Sequence, residues 1–488
     1  MGELAAALSA EVVAGPAAVA VTGISQDSRA VVPGDLYLAR AGDRAHGATF
    51  AAAAVAAGAV AILTDPSGLA AARGAGVPVL LVPDARAAAG TAAAAVYGDP
   101  VRALRTVAVT GTNGKTTTTF LVDGGLRAAG CRTGLIGTIE TRVAGERLAS
   151  ARTTPEATEL HALFAVLRER GATAVAMEVS SHALALGRVD GVVFDVAGFT
   201  NLSQDHLDFH AGLEDYFAAK ASLFTPAHSA AGVANGDDTH GRRLLGSAGV
   251  PMASYGLGPD VDWRATDVQL RPAGSTFTVA APTGVTLPAT VQLPGAFNVG
   301  NALLAIALLA GVGIDLETAV RGVGGVTGVP GRMERVEAGQ PFLAVVDYAH
   351  TPDAVETLLA ALRPMTSGRL IAVLGCGGDR DRGKRPLMGA ALARGADVAV
   401  LTSDNPRSED PAAILADMAA GARAAAGRAR IHVELDRRAA IALAVSLARA
   451  GDTVVVAGKG HEQGQDVGGV VSPFDDRQVL LAALEATA

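Results

Sequence analysis

The chain has 488 residues, half of them hydrophobic and 18% charged, with a formal net charge of −8. That length allows several domains, and that apolar content excludes a largely disordered chain. The acidic balance excludes the broad basic field of a nucleic-acid binder but leaves room for local positive charge around a small anionic ligand.

The opening segment, MGELAAALSAEVV, lacks the basic start of a signal peptide. The longest apolar runs, 50–63 and 302–314, fall short of a bilayer span. A soluble protein with no membrane insertion is therefore expected. Two cysteines, Cys131 and Cys376, are too few for a disulfide framework and point to a reducing compartment such as the cytoplasm. Both read as small apolar fillers.

Residues 1–100 alternate short strand-like runs (35–39, 59–63 and 77–82) with alanine-rich helical stretches, and end at the turn Gly98-Asp99-Pro100. A second block, 101–332, opens on a buried-strand pattern at 106–110. A glycine-rich loop and a helix follow, with further strands expected at 174–179 and 192–198. The third block, 333–488, alternates strands at 342–347, 370–374, 398–402 and 453–457 with helical segments. That alternation predicts a parallel, doubly wound sheet, and the fold class is α/β in three domains. Asp347-Tyr-Ala-His, Gly375-Cys-Gly-Gly-Asp-Arg, Ser403-Asp-Asn-Pro-Arg and Gly458-Lys-Gly-His-Glu all follow strands. Ligands of such sheets bind beyond the carboxyl ends of the strands.

The strongest local signal runs from Val107 to Thr118 and has the strand–loop–helix setting of a phosphate-binding loop. Gly111 and Gly114 let backbone N–H groups of Thr112, Asn113 and Thr117 close on phosphate oxygens. Lys115 supplies a point charge, and the Thr116 hydroxyl suits Mg²⁺. Val109 stands where the general pattern has its first glycine. A nucleoside triphosphate, ATP first, is the expected ligand.

Glu178 ends a predicted strand and suits Mg²⁺, although alone it reads equally well as a solvated strand end. His206 and His210 are spaced to share a helical face, as zinc ligands do. With no His-Glu-x-x-His and no cysteine partner, phosphate and Mg²⁺ chemistry is the better reading. On composition, Lys220 reads as a surface lysine whose stem lies along apolar neighbours.

Ten motifs occur in order: TGTNGKTTT, MEVSSHAL, NLSQDHLDFH, YFAAKASLF, PGAFNVGNALLA, GRMERV, DYAHTPDA, GCGGDRDRGKRP, TSDNPR and AGKGHE. Together they resemble the Mur ligases, and the last three resemble the MurE type. In this family the valine in the phosphate loop is the usual form. The resemblance implies a UDP-substrate domain, a central ATPase domain and a C-terminal Rossmann-like domain. It implies that Ser28, Asp43, Arg44 and Ala45 meet the uridine, and that Thr153, Thr154, Ser180 and Arg188 hold a muramyl dipeptide. Asn298 would meet adenine, Arg332 the phosphates and Asp347 the ribose. Thr116, Glu178 and His206 would lie near Mg²⁺. Lys220 would be carbamylated (N6-carboxylysine), because an ammonium repels Mg²⁺ whereas a carbamate is an anionic oxygen ligand.

The implied reaction is ATP-dependent addition of meso-2,6-diaminopimelate to UDP-N-acetylmuramoyl-L-alanyl-D-glutamate through an acyl phosphate, by a monomer. Lys115, Lys220 and His206 would carry the chemistry. Arg407 has the planar fork for the distal carboxylate of diaminopimelate, and Asp404 or Glu462 suits the distal ammonium. Pro406 stiffens the turn, with Asn405, Arg380 and Gly458 completing the site. Two rival readings are a folylpolyglutamate-synthase-like ligase, expected to lack the DNPR and GKGHE motifs, and a P-loop regulatory ATPase that makes no bond.

Overall fold

The computed structural model describes residues 1–15, 18–42, 44–148 and 152–487, and every count below refers to these. Three separate sheets carry the chain, each in an α/β setting, and a two-stranded hairpin stands apart.

The first sheet has five strands in the order Glu11–Ala14, Val79–Leu81, Ala61–Thr64, Asp35–Ala39 and Gly23–Ser25. All pairs are parallel except Glu11–Ala14 with its neighbour. The expected strands at 35–39, 59–63 and 77–82 are present, the latter two as Ala61–Thr64 and Val79–Leu81. Glu11–Ala14 and Gly23–Ser25 carry too short a pattern to be read from the sequence.

The second sheet has eleven strands, with Arg105–Thr110 between Ala174–Glu178 and Val196–Phe199. Val109 pairs with Glu178 on one side and Gly198 on the other. The position that is glycine in the general phosphate-loop pattern is thus inside a central strand, where a β-branched residue is favoured. The loop begins only at Gly111. The strand expected at 192–198 is displaced to Val196–Phe199. Val192 and Phe194 are fully buried but precede it, Val192 in a loop and Phe194 in a single parallel bridge to Ser229. The expected sheet is extended by an antiparallel run, Trp263–Arg271, Gly274–Ala280 and Thr286–Val291.

Helix Lys115–Ala128 contains Thr116 to Thr119, which are weak helix formers. Burial overrides that weakness, since all four are nearly inaccessible. Its glycines permit close packing. A Cβ on Gly125 would stand 2.1 Å from Leu309 Cδ1, and one on Gly322 would stand 2.6 Å from Gly125 Cα. Helix Ala296–Gly311 is apolar all round because it runs through the core.

The third sheet runs Glu334–Arg335, Leu343–Asp347, Thr453–Ala457, Leu370–Cys376, Val398–Ser403 and Arg430–Val433. It is parallel beyond its first, antiparallel strand. Its inner strands are continuous apolar runs because helices cover both faces. Cys376 ends one of them, and burial pushes its thiol up to about 12, in keeping with a filler role. No helix among the described residues is long and apolar enough to cross a membrane.

Candidate active site

The phosphate loop is held from behind by the segment after Val196–Phe199. Thr112 N donates to Asn201 O at 2.9 Å, Asn113 N to Asn201 Oδ1 at 3.0 Å, and Thr200 Oγ1 to Asn113 O at 2.6 Å. Gly111 (φ 141°) and Gly114 (φ 89°) adopt a backbone open only to glycine at low cost. A Cβ at Gly111 would also stand 1.9 Å from Thr200 Oγ1.

Lys115 Nζ donates to the carbonyls of Gly111 and Thr112, both at 2.8 Å. Burial lowers its pKa, against the pull of Glu178 and Asp205. The Thr116 hydroxyl donates to Glu178 Oε2 at 2.9 Å and accepts from Arg332 Nη2 at 3.1 Å. Glu178 is not a solvated strand end: it is 1% exposed and also accepts from Thr138 N and Oγ1. Arg332 lies over the Tyr348 ring, 4.3 Å from its centre. Asp347 accepts from Met333 N and Ala349 N, and burial raises its pKa. Asn298 is buried, with its amide donating to Pro294 O at 2.7 Å and its oxygen accepting from Asn301.

Thr112, Asn113, Gly114, Lys115, Thr116, Thr117, Asn298, Arg332 and Asp347 line one cavity of about 470 Å³ together with Glu178, His206, Thr153 and Ser180. Gly111 is not part of its lining; its carbonyl accepts from Lys115 and Lys220. Thr154 and Arg188 stand beside this cavity. Thr154 Oγ1 donates to Glu178 O at 2.9 Å, and Arg188 pairs with Glu156 at 3.0 Å.

The surface reading of Lys220 is overturned, because this residue is 1% exposed. It lies behind the loop, with Nζ donating to Gly111 O at 2.7 Å and 4.5 Å from the centre of the Tyr216 ring. Burial, and then Lys115, hold its pKa well below the lysine range. His206 has φ 55°, and its pKa is pushed down to about 4, by burial first. His210 turns away from it, with Nε2 3.0 Å from Ser181 Oγ and Nδ1 3.2 Å from Asp215.

A second cavity, of about 610 Å³, is lined from the third sheet by Arg380, Asp404, Asn405, Arg407, Gly458 and Glu462. Pro406 is buried beneath this wall. Arg407 has φ 52° and donates from Nη1 to Gly378 O at 2.7 Å. The hairpin of Gly464–Val467 and Val470–Pro473 clamps it: Arg407 N donates to Asp466 O and Gly468 N to Arg407 O.

Lys459, which sequence reasoning passed over inside GKGHE, is fully buried. Its Nζ lies 2.9 Å from Asn405 Oδ1, 3.2 Å from Glu462 and 3.6 Å from Asp404. The two carboxylates expected to meet a substrate ammonium thus already share a cation. Asn201 and Thr138 were also missed. They act on the loop and on Glu178 through backbone, side-chain amide and hydroxyl contacts that no charge pattern signals.

Ser28, Arg44 and Ala45 line neither cavity. Ser28 is half-buried beside the Tyr37 hydroxyl, while Arg44 and Ala45 are exposed in the loop before His46. Asp43 lies outside the described residues.

The hard oxygens of Thr116 and Glu178 fit Mg²⁺. Among the described residues no group of three or more His, Cys, Asp and Glu side chains is placed to hold a metal. The two cavities share Asp205, His206, Tyr348, His350 and Asp353 as a common wall.

A glycine-loop cavity that shares a wall with a second polar cavity on a doubly wound sheet defines a phosphate-loop α/β protein of three domains. Family models match in chain order: Mur ligase family, catalytic domain at 20–97; Mur ligase middle domain at 109–309; and Mur ligase, glutamate ligase domain at 331–460. A relative from Streptomyces coelicolor, named UDP-N-acetylmuramoyl-L-alanyl-D-glutamate–2,6-diaminopimelate ligase, is 60% identical over 96% of this chain and 93% of its own. One of the same name from Corynebacterium glutamicum is 49% identical over 95% and 92%. A solved structure of that name is 37% identical, with a TM-score of 0.70 over 99% of both chains. The chain belongs to the Mur ligase family.

Proposed function

We propose that this protein is an ATP-dependent ligase that joins meso-2,6-diaminopimelate to UDP-N-acetylmuramoyl-L-alanyl-D-glutamate in peptidoglycan synthesis, acting in the cytoplasm as a monomer. The observation that carries this reading is the shared wall. A nucleotide-phosphate cavity and an amino-acid cavity meet at Asp205, His206, Tyr348, His350 and Asp353. An activated carboxyl made on one side can be reached by an amine from the other. We assign 1–100 to UDP-substrate binding, 101–332 to ATP and 333–488 to the amino acid, with Ser28, Asp43, Arg44 and Ala45 at the uridine.

A carboxylate is a poor electrophile, so it must be activated before an amine can add. The γ-carboxylate of the D-glutamyl residue attacks the γ-phosphorus of ATP, forming an acyl phosphate and ADP. Lys115, Arg332 and the N–H groups of the loop offset the charge on the transferring group. Thr116 and Glu178 would hold Mg²⁺, with His206 near it, and the ion would supply further charge neutralisation. Asn298 and Asp347 orient adenine and ribose. Thr153, Thr154, Ser180 and Arg188 orient the dipeptide. The amine of diaminopimelate then attacks the acyl carbon, and the tetrahedral adduct expels phosphate as the nitrogen loses its proton.

Lys220 becomes the carbamate when its amine adds to CO₂ and releases one proton. Burial lowers the pKa of this amine, which favours the neutral, nucleophilic form this step needs. At the distal end Arg407 takes the carboxylate, while Asp404 and Glu462, organised by Lys459, take the ammonium. The DNPR and GKGHE loops on this wall favour this reading over a folylpolyglutamate-synthase-like ligase.

Phosphate release measured with single substrates omitted, and the product weighed by mass spectrometry, tests the reading. Release should require the UDP-muramyl dipeptide and diaminopimelate together. Equal release without either would leave a plain ATPase.

A further inference from the structure

Two loops wall the amino-acid cavity from the third sheet, one rooted at the end of Val398–Ser403 and the other at the end of Thr453–Ala457. These strands are not neighbours, because Leu370–Cys376 runs between them. No ladder hydrogen bond therefore joins the two roots. One side chain does. Arg437, the first residue of helix Arg437–Leu447, donates from Nη1 to Ser403 O at 3.2 Å and from Nη2 to Ala457 O at 2.9 Å. Its Nε and Nη2 also meet both carboxylate oxygens of Asp476, at 2.8 and 2.7 Å. Both side chains of the pair are 0% exposed.

The residues that follow these two carbonyls line the cavity: Asp404 after Ser403, Gly458 after Ala457. The loops touch there, since a Cβ on Gly458 would stand 2.8 Å from Asp404 Oδ2. Lys459 ties the loop tips through Asn405. Arg437 ties their roots.

A buried ion pair is a weak source of stability, because desolvation offsets its attraction and a packed apolar pair often does as well. An apolar pair cannot hold two strand-end carbonyls at a fixed separation. A guanidinium can, and four of its donor contacts here are made at once. We propose that Arg437, oriented by Asp476, is a positioning residue that sets the spacing of the two loops of the amino-acid site. This rests on the amino-acid reading of that cavity given above.

The test uses the full-length enzyme with Arg437→Lys and with the double change Arg437→Met and Asp476→Leu. Lysine keeps a charge for Asp476, but its single nitrogen cannot meet both carbonyls and both carboxylate oxygens. The double change replaces the pair by packed apolar groups. In both variants KM for diaminopimelate should rise about tenfold or more, the scale expected for a small misplacement of binding groups. KM for ATP and for the UDP-muramyl dipeptide should stay within about twofold of wild type, and the lysine variant, which leaves buried acceptors unpaired, should unfold at a lower temperature yet stay folded under assay conditions.

An unchanged amino-acid KM in a folded variant overturns the proposal. So does a parallel rise of all three KM values, which marks general loosening. If the double variant does not fold, the lysine variant decides. Should the wild-type enzyme prove to use a different amino acid, the diaminopimelate reading fails. The same comparison with that amino acid still decides the role of Arg437.

Discussion

Replacing Arg407 by alanine should weaken diaminopimelate use roughly tenfold to a hundredfold while scarcely touching ATP. A hydrogen bond to a charged group is worth about 1.5–3 kcal/mol, and each 1.4 kcal/mol is a factor of ten. The fold should tolerate the change. Arg407 lines the cavity, and losing its bond to Gly378 O costs about 1.5–3 kcal/mol, within the stability margin of a folded domain. Its φ of 52° is as awkward for alanine as for arginine, so backbone strain cancels. Arg407→Gly provides the complementary control, because glycine relieves about 1 kcal/mol of that strain. The glycine variant should be at least as stable as the alanine one and lose the same selectivity. The assay is kcat/KM for diaminopimelate and for lysine, measured on wild type and both variants. Lysine has no distal carboxylate, so its already low rate should change little and the selectivity ratio should collapse. If diaminopimelate use falls less than about threefold, or both amino acids lose equally, Arg407 does not read the distal carboxylate.

Lys220→Ala should be nearly inactive yet folded, and acetate or formate should restore part of the rate; full activity without added carboxylate contradicts the carbamate. Gly378→Ala would put a Cβ 1.9 Å from Pro406 O, so steady-state kinetics should show a raised KM for the amino acid with KM for ATP unchanged. His461 has its pKa pushed down to about 4, by burial first and then by Arg332. Between about pH 6.5 and 4 the unfolded chain binds a proton there that the folded chain does not, so stability falls as the pH is lowered through that window. The loss is on the order of 3 kcal/mol, and thermal unfolding of His461→Gln should show a shallower acid slope than wild type.

Local chemistry was the legible part. The phosphate loop could be read because strand, glycines and lysine are contiguous, and the structure gathers Thr112 to Thr117 with Glu178, Asn298, Arg332 and Asp347 around one cavity. The inner strands of the third sheet could be read because burial on both faces leaves unbroken apolar runs. Val192 and Phe194 misled, since full burial just ahead of a strand, with one bridge at Phe194, mimics the composition of the strand itself. The surface reading of Lys220 failed because helical spacing does not reveal that its tip is enclosed under Gly111. Lys459 and Arg437 escaped notice for a related reason. Each acts by tying segments far apart in sequence, and only the fold brings Asn405 to Lys459 or Ala457 to Arg437.

The most direct test of the account follows the oxygen atoms. In UDP-N-acetylmuramoyl-L-alanyl-D-glutamate labelled with ¹⁸O in the γ-carboxylate, one labelled oxygen should bridge to phosphorus in the acyl phosphate and leave with it. Mass analysis of the inorganic phosphate should therefore find one ¹⁸O per molecule, with the other label kept in the new amide. Unlabelled phosphate formed alongside the tripeptide would contradict activation of the carboxylate by phosphoryl transfer.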